Sequence, residues 1–282
     1  MTKQLLTIGH SPDADDAFMF YAMTHGKIDC GRYEFRHQLE DIQTLNERAL
    51  RGELELSAVS LHAYAYCADR YALLHCGASM GKGYGPIVVT RTKVLRDDIA
   101  ADLRGKRIAV PGTMTTAFLV LRLFLGEFDY IVVPFDRIFE AVQSRQAEAG
   151  LVIHEGQLTY VEAGLARALD LGNWWLNETG LPLPLGVNVV RRDLGEPTLT
   201  EVAALMRNSI DWGLDHSEEA LGYALEYGRG MDRVRAGKFV NMYVNDYTRD
   251  FGDEGRRAVI ELLTRAHAQG ALPTLPEIEF VR

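Results

Sequence analysis

A histidine follows an apolar run in the segment "EAGLVIHEGQL", residues 148–158. The run 149–153 has the length and continuity that are typical of a strand buried on both faces of a sheet. His154 comes directly after it, at the carboxyl end of the predicted strand, where open α/β sheets place their ligands. Because imidazole exchanges a proton near neutral pH, His154 is a candidate general base. The alternative is a histidine that only hydrogen-bonds a neighbouring loop, and the segment alone leaves both interpretations open.

Hydroxyl side chains follow two other predicted strands. In "VPGTMTTAF", residues 110–118, Gly112 permits a tight turn, and Thr115 and Thr116 precede an apolar helix. Threonine is a good helix N-cap, and the exposed amides at a helix start attract carboxylate or phosphate groups. Ser60 ends a predicted strand in "GELELSAVSLHAYAY" in the same way. An anion site and a plain capping arrangement both fit the two threonines.

Three aspartates open the predicted helix of "SPDADDAFMFY": Asp13, Asp15 and Asp16. Carboxylates stabilise the first turn of a helix through its dipole, and they can also bind a hydroxylated ligand. The cluster lacks the spaced oxygen ligands and the later glutamate of a calcium loop, so no metal site is predicted and capping is favoured. A serine hydrolase is disfavoured, because Ser57 and Ser60 are small hydroxyl donors and no G-x-S-x-G nucleophile elbow is recognised in the sequence.

Strand-like and helix-like segments alternate through the first two-thirds of the chain, and the part after residue 193 is mostly helical. This order predicts an α/β fold with parallel sheets. A strand–turn–helix unit restarts at 103–112, and the proline-studded segment 179–195 is extended enough to carry the chain back. We therefore expect two lobes with a ligand cleft between them. Lobe I comprises 1–90 plus 187–282, including the helical C-terminal part, and lobe II comprises 91–186.

The composition limits the class of partner. The chain has 282 residues, a net charge of −9 and 47% hydrophobic residues, as soluble globular proteins do. An acidic chain of this kind is expected to bind neither nucleic acid nor membrane, although a small anion can bind at a locally positive site. Its three cysteines lack metal-like spacing, and no signal peptide or membrane-spanning pattern is recognised, so a cytoplasmic protein is predicted. A homodimer is one option that the sequence leaves open.

Six segments, in the same order along the chain, resemble the 1,4-dihydroxy-6-naphthoate synthase family of menaquinone biosynthesis. They are "SPDADDAFMFYAMTHGKI", "LEDIQTLNERALRGELELSAVSLHAYA", "GYGPIVV", "RIAVPGTMTTAF", "EAGLVIHE" and "GNWWLNETGLPLPLG". The resemblance implies a two-lobed periplasmic-binding-protein-like (type II) fold that serves catalysis in the cytoplasm. It implies a lyase of the futalosine pathway that converts cyclic dehypoxanthine futalosine, a small-molecule carboxylate substrate, into 1,4-dihydroxy-6-naphthoate. The implied reaction uses no metal and no organic cofactor.

The resemblance also implies roles for individual residues. The family's catalytic base is the histidine of its I-I-H-E segment, which corresponds to His154 in "VIHE". The implied substrate contacts are Ala58, Val59, Ser60, Thr116 and Ala117. We expect Thr115 and the first amides of its helix to hold the substrate carboxylate as well. Asp16 is kept from a family turn that commonly reads S-P-C-P-N-D-T-F, where this chain has "SPDADDAF", and Ala58 stands where the family often has lysine.

Three alternatives remain at this stage. The first is chorismate dehydratase, which shares the implied fold, although the retained "VIHE" favours the synthase. The second is a non-catalytic solute-binding protein for small anions, which would normally require export. The third is a transcriptional effector domain, which is disfavoured because no helix-turn-helix pattern precedes the first predicted strand.

Overall fold

Strands and helices alternate along the chain in the computed structural model, which describes residues 3–93, 98–227 and 232–281. The strands in these ranges are β1 (Gln4–His10), β2 (Tyr33–Leu39), β3 (Leu56–Ser60), β4 (Tyr71–Leu74), β5 (Ser79–Gly81), β6 (Ile87–Thr90), β7 (Ile108–Val110), β8 (Tyr130–Val132), β9 (Ala149–Val152), β10 (Ala166–Asp170), β11 (Leu183–Arg191) and β12 (Phe280–Val281). The α-helices are α1 (Ala14–Thr24), α2 (Ile42–Arg51), α3 (Leu61–Tyr64), α4 (Ile99–Arg104), α5 (Thr116–Leu125), α6 (Ile138–Gln143), α7 (Gly156–Thr159), α8 (Leu171–Thr179), α9 (Glu196–Asp215), α10 (Ser217–Ala224), α11 (Arg233–Tyr243), α12 (Asp246–Arg249) and α13 (Gly252–Ala268). A 3-10 turn at Phe135–Arg137 leads into α6.

The chain divides into two compact units, each with its own sheet. Unit 1 contains Met1–Met80, Pro184–Arg256 and Pro276–Arg282, and unit 2 contains Gly81–Leu183 and Arg257–Leu275. These units differ from the expected lobes, 1–90 plus 187–282 and 91–186, in three places, of which the smallest is that residues 184–186 belong to unit 1. Strand β6 pairs inside the sheet of unit 2, so the expected boundary after residue 90 comes one strand too late. The part of α13 after Arg256 belongs to unit 2 rather than to the helical tail of unit 1.

The sheet of unit 1 has the order β12-β4-β11-β3-β1-β2, with β5 paired to β11. Strand β1 runs parallel to both β2 and β3, while β11 runs antiparallel to β3 and β4. The prediction of parallel sheets is therefore wrong for β11. The physical reason is that the chain re-enters unit 1 through this strand and travels in the opposite direction to β3.

Helix α1 is buried at every position from 14 to 23, because the helical tail packs around it. Helices α9, α10 and α11 all contact α1. Ser209 on α9 fixes one of these contacts: its Oγ accepts from the Met23 amide at 3.1 Å and donates to the Met19 carbonyl at 2.7 Å. The tail therefore covers the helix that carries the aspartate cluster.

The sheet of unit 2 has the order β10-β6-β9-β7-β8. Strands β9, β7 and β8 are parallel, and β6 and β10 are antiparallel to their neighbours, so this sheet is also mixed. Helix α6 packs closely on β9 at Gly150, where an added Cβ would lie 2.6 Å from Ile138 Cγ2 and 2.8 Å from Val142 Cγ2. The core beside this contact consists of Ile87, Val89, Ala109, Val133, Ile138, Ala141, Val142, Ala147, Val152 and Leu165.

Parallel pairing brings the carboxyl ends of neighbouring strands to one edge of each sheet. In unit 1 this edge carries the turns that follow β1, β2 and β3, and in unit 2 it carries the turns that follow β7, β8 and β9. Each turn that the sequence analysis singled out begins at such a strand end.

The three cysteines are free thiols in the interior of the fold: Cys30, Cys67 and Cys76. Burial raises the pKa of the Cys67 and Cys76 thiols to about 12, so neither is a reactive thiolate at neutral pH. Within the described ranges, no helix combines the length and the apolar character that a bilayer span requires.

Gly150→Ala tests the close packing of α6 on the strand that leads to His154. The new methyl group must displace buried Ile138 and Val142 side chains, so we expect the free energy of unfolding to fall by about 1–3 kcal/mol. Gly222→Ala is the matched control, because Gly222 lies in α10 with no atom within 4 Å of an added Cβ. The control should be neutral or up to about 1 kcal/mol more stable. Equal denaturant midpoints for the two variants would contradict the packing described.

Candidate functional site

Asp16 holds the turn between β1 and α1. Its Oδ2 accepts hydrogen bonds from the Ser11 amide and from the Ser11 hydroxyl, each at 2.8 Å. Asp13 occupies the N-cap position of α1, yet its side chain bonds no helix amide and instead lies 2.9 Å from Ser11 Oγ. The predicted capping role is therefore modified, because these carboxylates secure the turn itself rather than the first helix amides.

Asp15 and Asp16 are both buried at the start of α1, which changes their protonation. Burial raises the pKa of Asp16 to about 6, against the opposing effect of its Ser11 hydrogen bonds. Burial, together with the charges of Asp16 and Asp13, raises the pKa of Asp15 well above its ordinary value. The turn is therefore more easily protonated than an exposed pair of aspartates. In the described part of the chain, no three His, Cys, Asp or Glu side chains are grouped so that they could hold a metal ion.

His10 closes β1 as a neutral, buried ring beside this turn. Its Nδ1 lies 3.0 Å from the Ser11 carbonyl oxygen, which only accepts, so Nδ1 carries the proton. Its Nε2 lies 3.3 Å from His37 Nδ1, and its ring stacks on Phe20 at a centroid distance of 4.8 Å. Burial lowers the pKa of His10 to about 4. The end of β1 is therefore anchored by an uncharged imidazole.

Ser60 is held by Asn46, a residue that the sequence analysis did not single out. The Ser60 amide donates to Asn46 Oδ1 at 2.8 Å, and Asn46 Nδ2 donates to Ser60 Oγ at 3.1 Å. Asn46 is fully buried on α2, which Asp41 caps at its start and Gly52 ends in the left-handed conformation. An asparagine on the buried face of an amphipathic helix is a sequence signal for such a role, since a buried amide requires partners.

Ala58 and Val59 lie in the interior of β3. The Ala58 side chain packs against Leu45 and Leu54, and Val59 is completely buried opposite Val187 of β11. Side-chain contact with a ligand is therefore not available to Val59 in this arrangement. Any role that the resemblance implies for Val59 would be carried by its backbone.

Thr115 is the N-cap of α5, in agreement with one of the two interpretations of its segment. Its Oγ1 accepts from the Phe118 amide at 3.2 Å and donates to the Gly112 carbonyl at 2.9 Å. Thr116 and Ala117 are the first two residues of the helix and are buried. Their amides belong to the turn that carries the positive end of the helix dipole. An anion at this helix start would therefore be recognised mainly by backbone amides.

His154 lies two residues beyond β9, and its ring is enclosed by two phenylalanines. The Phe135 ring stands edge-on to the imidazole at a centroid distance of 5.5 Å, and the Phe139 ring lies 6.2 Å away. Only 12% of the His154 side chain is exposed. His154 follows β9 and Phe135 follows β8, and β7 lies between these two strands in the sheet. The contact between the two residues therefore crosses the end of β7.

Both ring nitrogens of His154 are engaged by the backbone. Nε2 lies 2.9 Å from the Phe135 carbonyl oxygen, and the Gly156 amide donates to Nδ1 at 2.9 Å. Because a carbonyl only accepts and an amide N–H only donates, the ring is neutral with its proton on Nε2. His154 therefore hydrogen-bonds its neighbouring loops, as the alternative interpretation expects, and its one lone pair, on Nδ1, faces the Gly156 amide.

Ser79 lies in the segment "GASMG", residues 77–81, which matches G-x-S-x-G and which the sequence analysis overlooked. A nucleophile elbow needs a strand, a sharp turn and then a helix. Here Ser79 opens the short strand β5, and its hydroxyl donates to Asp15 Oδ2 at 3.3 Å. The motif therefore lacks the local structure of a hydrolase nucleophile.

A pocket of about 550 Å³ lies at the opposite edge of the sheet of unit 1. Its lining residues are Arg51, Gly52, Asp69, Arg70, Arg191, Arg192 and Asp193. Four arginines there suggest an anion site, but they pair with Glu53, Asp69, Asp193, Glu55 and Glu279. They also donate to backbone carbonyls, such as Leu50 and Gly52 at the end of α2. These arginines therefore form an ion-pair network that closes a helix end.

Asp16→Asn tests the titration of the buried aspartate. Its folded pKa of about 6 exceeds the ordinary value of 3.8, so the unfolded chain loses this proton first. The free energy of unfolding should fall as the pH rises through this interval, and Asp16→Asn should flatten that slope. Urea unfolding at several pH values between about pH 4 and about pH 7 measures the slope of the free energy of unfolding against pH. The control is Asp136→Asn, because Asp136 is exposed, and it should leave the slope unchanged. A slope as steep in Asp16→Asn as in the wild type would contradict the assignment.

Asn46→Ala tests how firmly Ser60 is held. The substitution leaves the buried Ser60 amide without its partner, so we expect the free energy of unfolding to fall by about 1–3 kcal/mol. Asn173→Ala is the control, because Asn173 is exposed on α8, and it should change the free energy by less than about 0.5 kcal/mol. Similar losses in both variants would show that Asn46 is not a structural support.

Comparison with solved structures identifies the fold. The structure of a protein from Archaeoglobus fulgidus is 48% identical, with a TM-score of 0.90, and the match covers 95% of this chain and 98% of that one. The alkanesulfonate-binding protein SsuA from Xanthomonas axonopodis superposes with a TM-score of 0.72 at 14% identity, over 98% and 96% of the two chains. A Candida albicans protein described as having the generic periplasmic binding protein fold gives a TM-score of 0.72 at 14% identity, over 96% and 92% of the chains. The expected two-lobed, periplasmic-binding-protein-like α/β fold is confirmed.

Comparison with known sequences identifies the family. The profile of a family described as menaquinone biosynthesis matches residues 6–268. The 1,4-dihydroxy-6-naphthoate synthase of Thermus thermophilus is 41% identical over 99% of this chain and 100% of its own length. The corresponding synthase of Streptomyces coelicolor is 40% identical over 98% of this chain and 97% of its own length. The chain therefore belongs to the 1,4-dihydroxy-6-naphthoate synthase family of menaquinone biosynthesis.

Proposed function

We propose that this protein is a carbon–carbon lyase that converts cyclic dehypoxanthine futalosine into 1,4-dihydroxy-6-naphthoate, with His154 as the general base. The observation that supports this most is the full-length identity of 40–41% to two synthases of that name. We also propose that the enzyme works in the cytoplasm on a small-molecule carboxylate, which suits its acidic composition and its free, buried thiols.

The proposed base is supported by the environment of its ring. The imidazole is neutral, largely buried and fixed between two aromatic side chains, so its position is set before any substrate arrives. A positioned base of this kind typically contributes about 10²–10⁴-fold to a rate. In the proposed reaction, His154 removes a proton from the substrate, and loss of that proton drives scission of the carbon–carbon bond and aromatisation.

The proposed substrate contacts form two groups, one in each unit. In unit 2, Thr115 orders the first turn of α5, and the amides of Thr116 and Ala117 would hold the substrate carboxylate or a developing oxyanion. In unit 1, the proposed contacts are Asp16, Ala58, Val59 and Ser60. Because Val59 is enclosed in the core, its contribution would come from the peptide groups of β3.

A spectroscopic titration distinguishes this enzyme from a binding protein of the same fold. Cyclic dehypoxanthine futalosine is added to the protein, and naphthalene absorbance and fluorescence are followed with time. If the protein is the proposed lyase, the amount of naphthalene product in moles should exceed the amount of protein, because each enzyme molecule converts many substrate molecules. Saturable binding without a new chromophore would contradict the proposal and favour a solute-binding role. Water loss from chorismate without activity on cyclic dehypoxanthine futalosine would favour the dehydratase.

His154→Ala tests the proposed base. We expect turnover to fall by at least about 10²-fold, while substrate affinity stays within about tenfold, because the lost group acts mainly in the transition state. His267→Ala is the control, because His267 is an exposed histidine near the end of α13 in unit 2. Stopped assays give kcat, and equilibrium titration of the variant gives affinity. Wild-type turnover in His154→Ala, with both variants folded, would remove this histidine from the mechanism.

A further inference from the structure

His154 has only one nitrogen that can accept a proton while its ring stays in place. Nε2 already carries the ring proton and donates it to the Phe135 carbonyl at 2.9 Å. The lone pair is therefore on Nδ1, where the Gly156 amide donates at 2.9 Å. A proton taken from substrate must arrive at Nδ1 unless the whole ring rotates away from both partners.

Gly156 controls the approach to Nδ1. It is the first residue of α7, so its amide has no partner one turn earlier within the helix and is available to the ring. An ideal Cβ at this position would lie 2.7 Å from His154 Cε1, 2.9 Å from Phe139 Cζ and 3.1 Å from His154 Nδ1. Only glycine lets the amide approach the imidazole at this distance without moving the ring.

A carboxylate is placed to receive the charge that protonation creates. Glu155 Oε2 lies 3.7 Å from His154 Nδ1, and only 12% of each side chain is exposed. When Nδ1 is neutral, it accepts from Gly156; when it is protonated, it can no longer accept from an amide and needs an acceptor instead. Low exposure strengthens the attraction between an imidazolium and a carboxylate at this distance.

The other charged side chains on the elements around the His154 ring are exposed to solvent, unlike Glu155. Asp136 and Arg137 lie on the 3-10 turn after β8, and Glu140 lies on α6. All three side chains are exposed, and Arg137 pairs with Glu140. Glu162, beyond α7, is exposed as well. Among the acidic side chains named here, Glu155 is the one with low exposure, and its carboxylate lies 3.7 Å from Nδ1.

We propose that His154 accepts the substrate proton at Nδ1, and that Glu155 is a positioning residue that holds the resulting imidazolium when the Gly156 amide is released. This inference rests on the proposed function only in that His154 is the base. The Phe135 carbonyl keeps Nε2 protonated throughout, so the proton moves onto and off a single nitrogen. The electron pair of the broken C–H bond stays on the substrate, which gains one negative charge as the neutral ring becomes an imidazolium paired with Glu155, so the total charge is unchanged.

The first test is nitrogen NMR of histidine-labelled protein without substrate, with His154→Ala used to assign the signal. We expect neutral His154 to show an unprotonated Nδ1 and a protonated Nε2. In Glu155→Gln, the pKa of His154 should fall by about one unit, because the partner of its charged form is lost. Glu155→Asp should retain most of that pKa, and exposed Glu162→Gln should leave it unchanged. Protonated Nδ1 in the neutral ring, or an unchanged pKa in Glu155→Gln, would overturn the inference.

The second test is the pH profile of kcat/KM for cyclic dehypoxanthine futalosine. The acid limb reports the pKa of the base in the free enzyme, so in Glu155→Gln it should move to lower pH by the shift seen in the NMR titration. The plateau of kcat should fall by about tenfold, with KM changed less than threefold, and Glu155→Asp should recover most of kcat. A profile that does not move would overturn the role of Glu155 even if His154 is essential. Full activity in His154→Ala would instead contradict the proposed base, while the NMR result would still decide the tautomer and the ion pair.

Discussion

Two backbone hydrogen bonds decide what the imidazole of His154 can do. A carbonyl on one side and an amide on the other select one tautomer of the ring and hold it in place. Such a ring is stable at rest and has one defined nitrogen from which to act. The sheet of unit 2 makes this possible, because β8 and β9 flank β7 and bring Phe135 and His154 to the same edge. The close packing of α6 on Gly150 then fixes the strand that carries the histidine.

In unit 1 the turns at the strand ends are also held by hydrogen bonds, here to buried side chains instead of to the backbone. Two serines there are each held by a buried polar partner: Ser60 by Asn46, and Ser11 by Asp16. These partners satisfy amides that would otherwise be buried without hydrogen bonds, so they fix the shape of the turns. The turn "SPDADDAF" is one of these, and burial raises the pKa of both Asp15 and Asp16 above the ordinary value. The shape of the turns at this edge is therefore set by buried polar groups.

Much of this arrangement could be predicted from the sequence, because it depends on local patterns. The strand before His154, the helix after Thr115 and the helix after Asp13 all lie within a residue or two of their expected positions. Strand β4 ends at Leu74 and β5 begins only at Ser79, since Gly77 adopts a left-handed conformation between them. Strand β10 and helix α8 were not anticipated, because a short strand at the edge of a sheet has little periodicity to detect.

The contacts that set the chemistry could not be predicted from local patterns. The pairing of His154 with Phe135 depends on the order of strands in the sheet, and that order is not written in any one segment. Asn46 and Ser60 meet only because α2 packs on β3. The glycine after "VIHE" is the exception: a small residue next to a candidate base is a local signal of a close approach, and it could have been recognised.

Mass spectrometry of the products formed from cyclic dehypoxanthine futalosine tests the central claim most directly. If the account is correct, the wild-type protein consumes the substrate completely and releases 1,4-dihydroxy-6-naphthoate together with the complementary fragment in equal amounts, with no added metal or cofactor. Recovery of the intact substrate after prolonged incubation with folded protein would contradict the account.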